Sequence, residues 1–188
     1  LVATDTYELS GLLRGQGGTE LLASSDQVSG RYFVLMASVA GQIDLPVSAR
    51  NLARHYRIGP ALRDYTDMTY VHQVRAFQGV GLRPYAPCHL RELRANGDSH
   101  FSWIRRTRID GDNWSSPDVP LGESFEAYRL EVRKAGAVIR TAEVGSPGWT
   151  YAAAMKDEDG ISGPYSLEVA QISERFGAGS IARIDIND

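Results

Sequence analysis

Along residues 99–108, Ser-His-Phe-Ser-Trp-Ile-Arg-Arg-Thr-Arg, Phe101 and Trp103 fall on one side of a two-residue period and His100, Ser102 and Ile104 on the other. Successive side chains of a strand point to opposite faces, so this alternation predicts a half-buried β-strand. Trp103 is its anchor. A buried indole covers about 150–250 Å², on the order of 4–6 kcal/mol at about 25 cal/mol per Å² before chain entropy is set against it. Arg105, Arg106 and Arg108 follow at once, so the strand has to leave the core before the turn-forming run Ile109-Asp110-Gly111-Asp112-Asn113. The same period returns downstream, where Tyr128, Leu130 and Val132 share one face and Tyr165, Leu167 and Val169 share another.

Strands are predicted at 88–95, through Trp103, and at 125–134, 137–144, 149–155, 165–173 and 180–186. Turn residues separate them at 135–136, 157–160 and 176–179. Such short strands at regular spacing predict a seven-stranded sandwich. Upstream the pattern is more broken. A strand over 6–14 interrupted by a bulge at Gly11, short strands at 31–36, 42–47, 55–60 and 70–77, and one helical turn within 48–53 are expected. The run Leu82-Arg83-Pro84-Tyr85-Ala86-Pro87 is held extended by its prolines and reads as a boundary. The fold class is therefore all-β, with a small short-stranded unit over 1–82 and a sandwich over 83–188. A start without an initiator Met, and an alternation at 184–188 that stops without a tail, predict a piece of a longer chain.

Composition adds exclusions. A formal net charge of −3 gives no strongly basic footprint, so nucleic acid is not an expected partner. No apolar run approaches the roughly 18 residues of a spanning helix, so no membrane insertion is expected. The single cysteine, Cys88, permits no internal disulfide and reads as a small buried hydrophobe.

Candidate chemistry is sparse. His55, His72, His89 and His100 are scattered without metal-ligand spacing, so no metal is expected. The glycines of 15–18 lead to Glu20, where a dinucleotide fingerprint needs glycine, and no P-loop Lys follows, so no cofactor is expected. No Gly-x-Ser-x-Gly elbow supports a nucleophile, and no catalytic residue is assigned. The acidic runs 110–113 and 157–160 offer oxygens to Ca²⁺ but lack a distal Glu, and suit hairpin turns equally. Arg91, Arg94, Arg105, Arg106 and Arg108 suggest a basic stripe, with Arg106 and Arg108 on one face toward an anionic glycan or a partner's carboxylates. The competing reading is a solvated face paired with Glu92, Glu126 and Glu131. Trp114, in the loop over 112–119, is the aromatic best placed to stack on a sugar ring, whereas Trp149 reads as the start of a core strand.

Trp103 in the second strand, the Tyr-x-Leu-x-Val strand at Tyr128 and the Tyr-x-Leu-x-Val-x-Gln strand at Tyr165 resemble a fibronectin type III domain, with Trp103, Tyr128 and Tyr165 as its structural core. Over nearly the whole chain, ordered blocks resemble the C-terminal region of the host-specificity or baseplate proteins of gene transfer agents and siphophage-like tails. These are Thr6-Tyr7-Glu8-Leu9-Ser10-Gly11-Leu12-Leu13-Arg14-Gly15-Gln16-Gly17-Gly18-Thr19-Glu20, His55-Tyr56-Arg57-Ile58-Gly59-Pro60-Ala61, Gly81-Leu82-Arg83-Pro84, Pro87-Cys88-His89-Leu90-Arg91, Ser102-Trp103-Ile104-Arg105-Arg106-Thr107-Arg108-Ile109-Asp110-Gly111-Asp112 and Val119-Pro120-Leu121-Gly122-Glu123. The resemblance implies a non-enzymatic structural or receptor-facing module of a tail tip. It would be made in the bacterial cytoplasm, carried on a phage-like particle and bound to other tail or baseplate proteins. A carbohydrate-binding module for bacterial surface polysaccharide is the alternative, with cell-surface glycan as partner.

Overall fold

The structure, a computed structural model, describes residues 8–23, 43–113, 115 and 118–187. The contacts divide the chain into a unit within 27–82 and a second unit that joins the first 26 residues to 83–188. One edge of this division meets the proline-bracketed boundary near residue 83. Residues 8–23, placed by the sequence with the first unit, group instead with the sandwich.

Within 43–82 the chain forms one antiparallel hairpin, β1 (Arg54–Ile58) and β2 (Val71–Arg75), with Tyr56 opposite Gln73. Its connection is held by its own polar groups. The Tyr70 hydroxyl reaches Pro60 O at 2.9 Å and Arg63 O at 3.2 Å, and Arg57 donates to Tyr65 O at 2.6 Å. Asp64 and Asp67 accept from the backbone N–H and hydroxyl of Thr66 and Thr69, respectively. Gly59 has no substitute here, because a Cβ would sit 2.6 Å from the Tyr70 ring. The strand expected over 42–47 is absent from 43–47: residues 43–46 are irregular and Val47–Ala49 is a 3-10 turn entered through Pro46. Proline has no N–H to give a ladder and its fixed φ suits a helical start. The segment expected as a strand at 31–36 lies outside the described residues.

In the second unit, residues 8–14 are not a strand. Gly11 and Gly15 take left-handed φ of 64° and 73°, and no strand pairs with the segment among the described residues. A 3-10 turn (Gln16–Gly18) and a single helical turn, α1 (Glu20–Ala23), follow.

The sandwich is built from β3 (Cys88–Ala95), β4 (Asp98–Ile104), β5 (Tyr128–Lys134), β6 (Ala137–Val144), β7 (Gly148–Tyr151), β8 (Tyr165–Ser173) and β9 (Gly177–Ile186), with α2 (Ala153–Glu158) between β7 and β8. One sheet has the order β3-β4-β7 and the other β6-β5-β8-β9, antiparallel throughout. This three-on-four arrangement, closed over a tryptophan of its second strand, is a fibronectin type III-like sandwich. The core comes from alternate positions: Phe101 and Trp103 of β4, Tyr128, Leu130 and Val132 of β5, Tyr165, Leu167 and Val169 of β8. Trp103 meets Tyr128 edge to face at 5.1 Å and 74°, and Tyr151 meets Tyr165 likewise at 6.0 Å. Such pairs add about 0.5–1.5 kcal/mol beyond buried area.

The strand expected over 149–155 stops at Tyr151, because Ala153-Ala154-Met155-Lys156 are strong helix formers and continue as α2. The Ala153 N–H donates to Asp98 Oδ1 at 2.8 Å, so a distant carboxylate caps the helix.

Candidate functional site

Two places concentrate polar or exposed groups, one at an end of the sandwich and one on the hairpin. At the sandwich end, Ser99 is fully buried and donates to Glu92 Oε1 at 2.5 Å, while Lys156 donates to Ser99 Oγ at 2.7 Å and Gly97 O at 2.9 Å. Beside it the Tyr151 hydroxyl donates to Asp159 at 2.5 Å, and Arg140 clamps the same carboxylate through Nε at 2.6 Å and Nη2 at 3.0 Å. The Arg140 guanidinium holds the Asp159 carboxyl below its ordinary range, and burial, followed by the bond to Asp159, pushes the Tyr151 hydroxyl up. An open cleft of about 370 Å³ lies against residues 94–98, Lys156, Ile161 and Tyr165. Arg94, Asp98, Lys156 and Tyr165 around it already have partners, so the arrangement ties α2 to the β3–β4 turn.

The arginines after β4 do not form a stripe. Arg105 donates to Asp118 at 2.6 Å and to Val119 O at 2.7 Å. Arg106 pairs with Glu20 at 2.7 Å and lies 5.0 Å over the Tyr85 ring. Arg108 pairs with Glu123 at 2.5 Å and sits over Phe176 at 5.6 Å. Each is spent within its own unit, and Arg106 draws residues 16–23 onto the sandwich. Gly18 belongs to the same contact, since a Cβ there would meet the Tyr85 ring at 2.8 Å. Trp114 lies outside the described residues. Trp149 is half-buried, near-parallel to Phe101 at 6.1 Å and to Tyr151 at 5.1 Å. Trp103, Tyr128 and Tyr165 are all buried, the Tyr128 hydroxyl donating to Glu126 at 2.6 Å. The run 110–113 is a turn, with Asp110 left-handed at φ 47°. The turn expected over 157–160 is instead taken up by the end of α2, with Asp157 and Glu158 helical and only Asp159 and Gly160 in the turn, Asp159 being held by Arg140.

The hairpin unit has the opposite character. Of its described residues only Ala49 is buried among the hydrophobics, while Ile58, Tyr65, Val71, Val74 and Phe77 are exposed and Leu62 and Met68 stand at 101% and 98% of full exposure. These are among the large apolar side chains that the described part of the hairpin unit leaves exposed. On it the register also brings together two histidines that are 17 residues apart in sequence, His55 Nδ1 and His72 Nε2 meeting at 2.9 Å with near-parallel rings. Only strand pairing reveals that contact. Two nitrogens are fewer than a structural metal takes, and among the described residues no three of His, Cys, Asp and Glu gather to hold one. No described helix is long and apolar enough to cross a membrane.

No family model matches the chain, and no curated protein matches it. Among solved structures it is similar to domains d3-d4 of the rat CD45 extracellular region, at TM-score 0.43 and 9% identity over 87% of this chain and 79% of that one. It is also similar to a protein described as FN3tt mut, at TM-score 0.37 and 10% identity over 55% of this chain and 94% of the other. A third likeness is to the Clostridium perfringens spore cortex lytic enzyme SleM, at TM-score 0.37 and 8% identity, covering 56% of this chain and 28% of that enzyme. These likenesses concern the fold alone.

Proposed function

We propose that this chain is a structural, receptor-facing module of a phage-like tail tip or baseplate protein, held by contacts with other proteins of the particle and working by presenting surface. The observation that carries the reading is the hairpin unit, whose large apolar side chains face outward and match a surface covered by another protein chain. The internal pairing of Arg105, Arg106 and Arg108 supports it, because these side chains hold the unit together. The tail-tip assignment rests on the ordered blocks at 6–20, 55–61, 81–84, 87–91, 102–112 and 119–123. Electron microscopy of a parent particle carrying a label on this region tests it. A label at the distal end of the tail is expected; a label within the capsid or shed from the particle overturns the reading.

A further inference from the structure

We propose that His55 and His72 form a two-imidazole chelating site for a borderline divalent cation of the Zn²⁺ and Cu²⁺ class, with water filling its remaining positions. The inference goes beyond the module reading and does not rest on it. Imidazole is the common ligand of such ions, whereas Mg²⁺ and Ca²⁺ take oxygen.

The hairpin register builds the pair. His55 stands opposite Val74 and His72 opposite Arg57, so the two histidines are diagonal neighbours on one face of the sheet. Diagonal positions lie about 7–8 Å apart, a gap that two long side chains can bridge. Here they bridge it with His55 Nδ1 and His72 Nε2 at 2.9 Å. Two nitrogens bound to one ion at about 2.0–2.1 Å stand about 2.9 Å apart at a right angle and about 3.4 Å apart at the tetrahedral angle. The observed separation falls at the short end of that span. Both residues are exposed, so the rings are free to turn and aim both lone pairs at one ion that arrives from solvent.

Without an ion, one ring donates its N–H to the lone pair of the other. When an ion binds, the donor ring carries that proton on its other nitrogen, His55 Nε2 or His72 Nδ1, and no net proton is released. Arg57 shares the face, and its guanidinium is committed to Tyr65 O at 2.6 Å. Two protein ligands leave at least two positions to water, so the site is open and exchangeable, unlike the four-ligand sites that hold a fold together.

Isothermal titration of the whole, tag-free chain with Zn²⁺ and with Cu²⁺, Mg²⁺ serving as the control, tests this. Binding of both transition ions is expected, Cu²⁺ the tighter, with no heat beyond dilution from Mg²⁺. His55→Gln and His72→Gln are each expected to weaken Zn²⁺ binding by about tenfold or more, since even an outer-shell partner is worth that much. A second measurement needs no variant. Cu²⁺ is paramagnetic, so substoichiometric Cu²⁺ is expected to broaden the ring resonances of His55 and His72 before those of His89 and His100, which belong to the sandwich strands β3 and β4. Zn²⁺ and Cu²⁺ that bind no better than Mg²⁺ overturn the proposal, as does Zn²⁺ binding that both substitutions leave intact or broadening that is equal at all four histidines.

Discussion

Trp103 is almost wholly buried, and its ring is pinned by Tyr128. Replacing it with alanine leaves a cavity that the two sheets can only partly close. Trp103→Ala is therefore expected to cost about 3–5 kcal/mol, a large part of the stability of a typical domain, and to lower the urea midpoint of the sandwich accordingly. Asp159 makes a prediction in pH. Its bond and ion pair with Arg140 depress the folded carboxyl below the unfolded value of 3.8, so the stabilisation is present above that value and is lost as pH falls through the lower folded one. Thermal midpoints measured from pH 5 down to about pH 2 should fall. Asp159→Asn should be less stable at neutral pH and show a shallower acid decline. Trp103, Tyr128 and Tyr165 were legible in the sequence because a strand's two-residue period exposes its buried face directly. The pairing of Arg106 with Glu20, 86 residues apart in the chain, had no local signal.

Among elements, the turns carry the sharpest test. The β5–β6 turn has Ala135 at φ 50° and Gly136 at φ 84°, and the β3–β4 turn has Asn96 at 52° and Gly97 at 89°. Both fit the left-handed pair that tight hairpins require. Asparagine and glycine tolerate it, whereas alanine is strained there. Ala135→Gly is thus expected to stabilise the sandwich by about 0.5–1 kcal/mol, read as a raised midpoint in chemical denaturation. The strands 88–95, 137–144 and 165–173 were visible in the sequence to their observed ends, because alternation stops where turn residues begin. The segments over 8–14 and 43–47 showed similar alternation without becoming strands. A strand needs a neighbour for its backbone groups, and the local pattern does not say whether one arrives. The helix α2 had a local signal in the run Ala153-Ala154-Met155-Lys156, but its cap, Asp98, lies 55 residues upstream and had none.

For the whole molecule, the two units divide the labour of burial and exposure. Leu62 and Met68 project from the hairpin connection without cover, so Leu62→Ser combined with Met68→Ser is expected to change stability by less than about 0.5 kcal/mol. Thermal denaturation checks this, and a larger loss would show that these side chains are packed in solution. The sequence by itself determined the all-β class, the seven sandwich strands and the tryptophan they close over, because the two-residue period and turn chemistry are local properties that every strand displays. Tertiary structure alone decided that Arg106 and Arg108 are bound internally, that residues 8–23 join the sandwich, and that His55 meets His72. Each depends on which distant groups the fold brings within a few ångströms, and no periodicity along the chain encodes that distance.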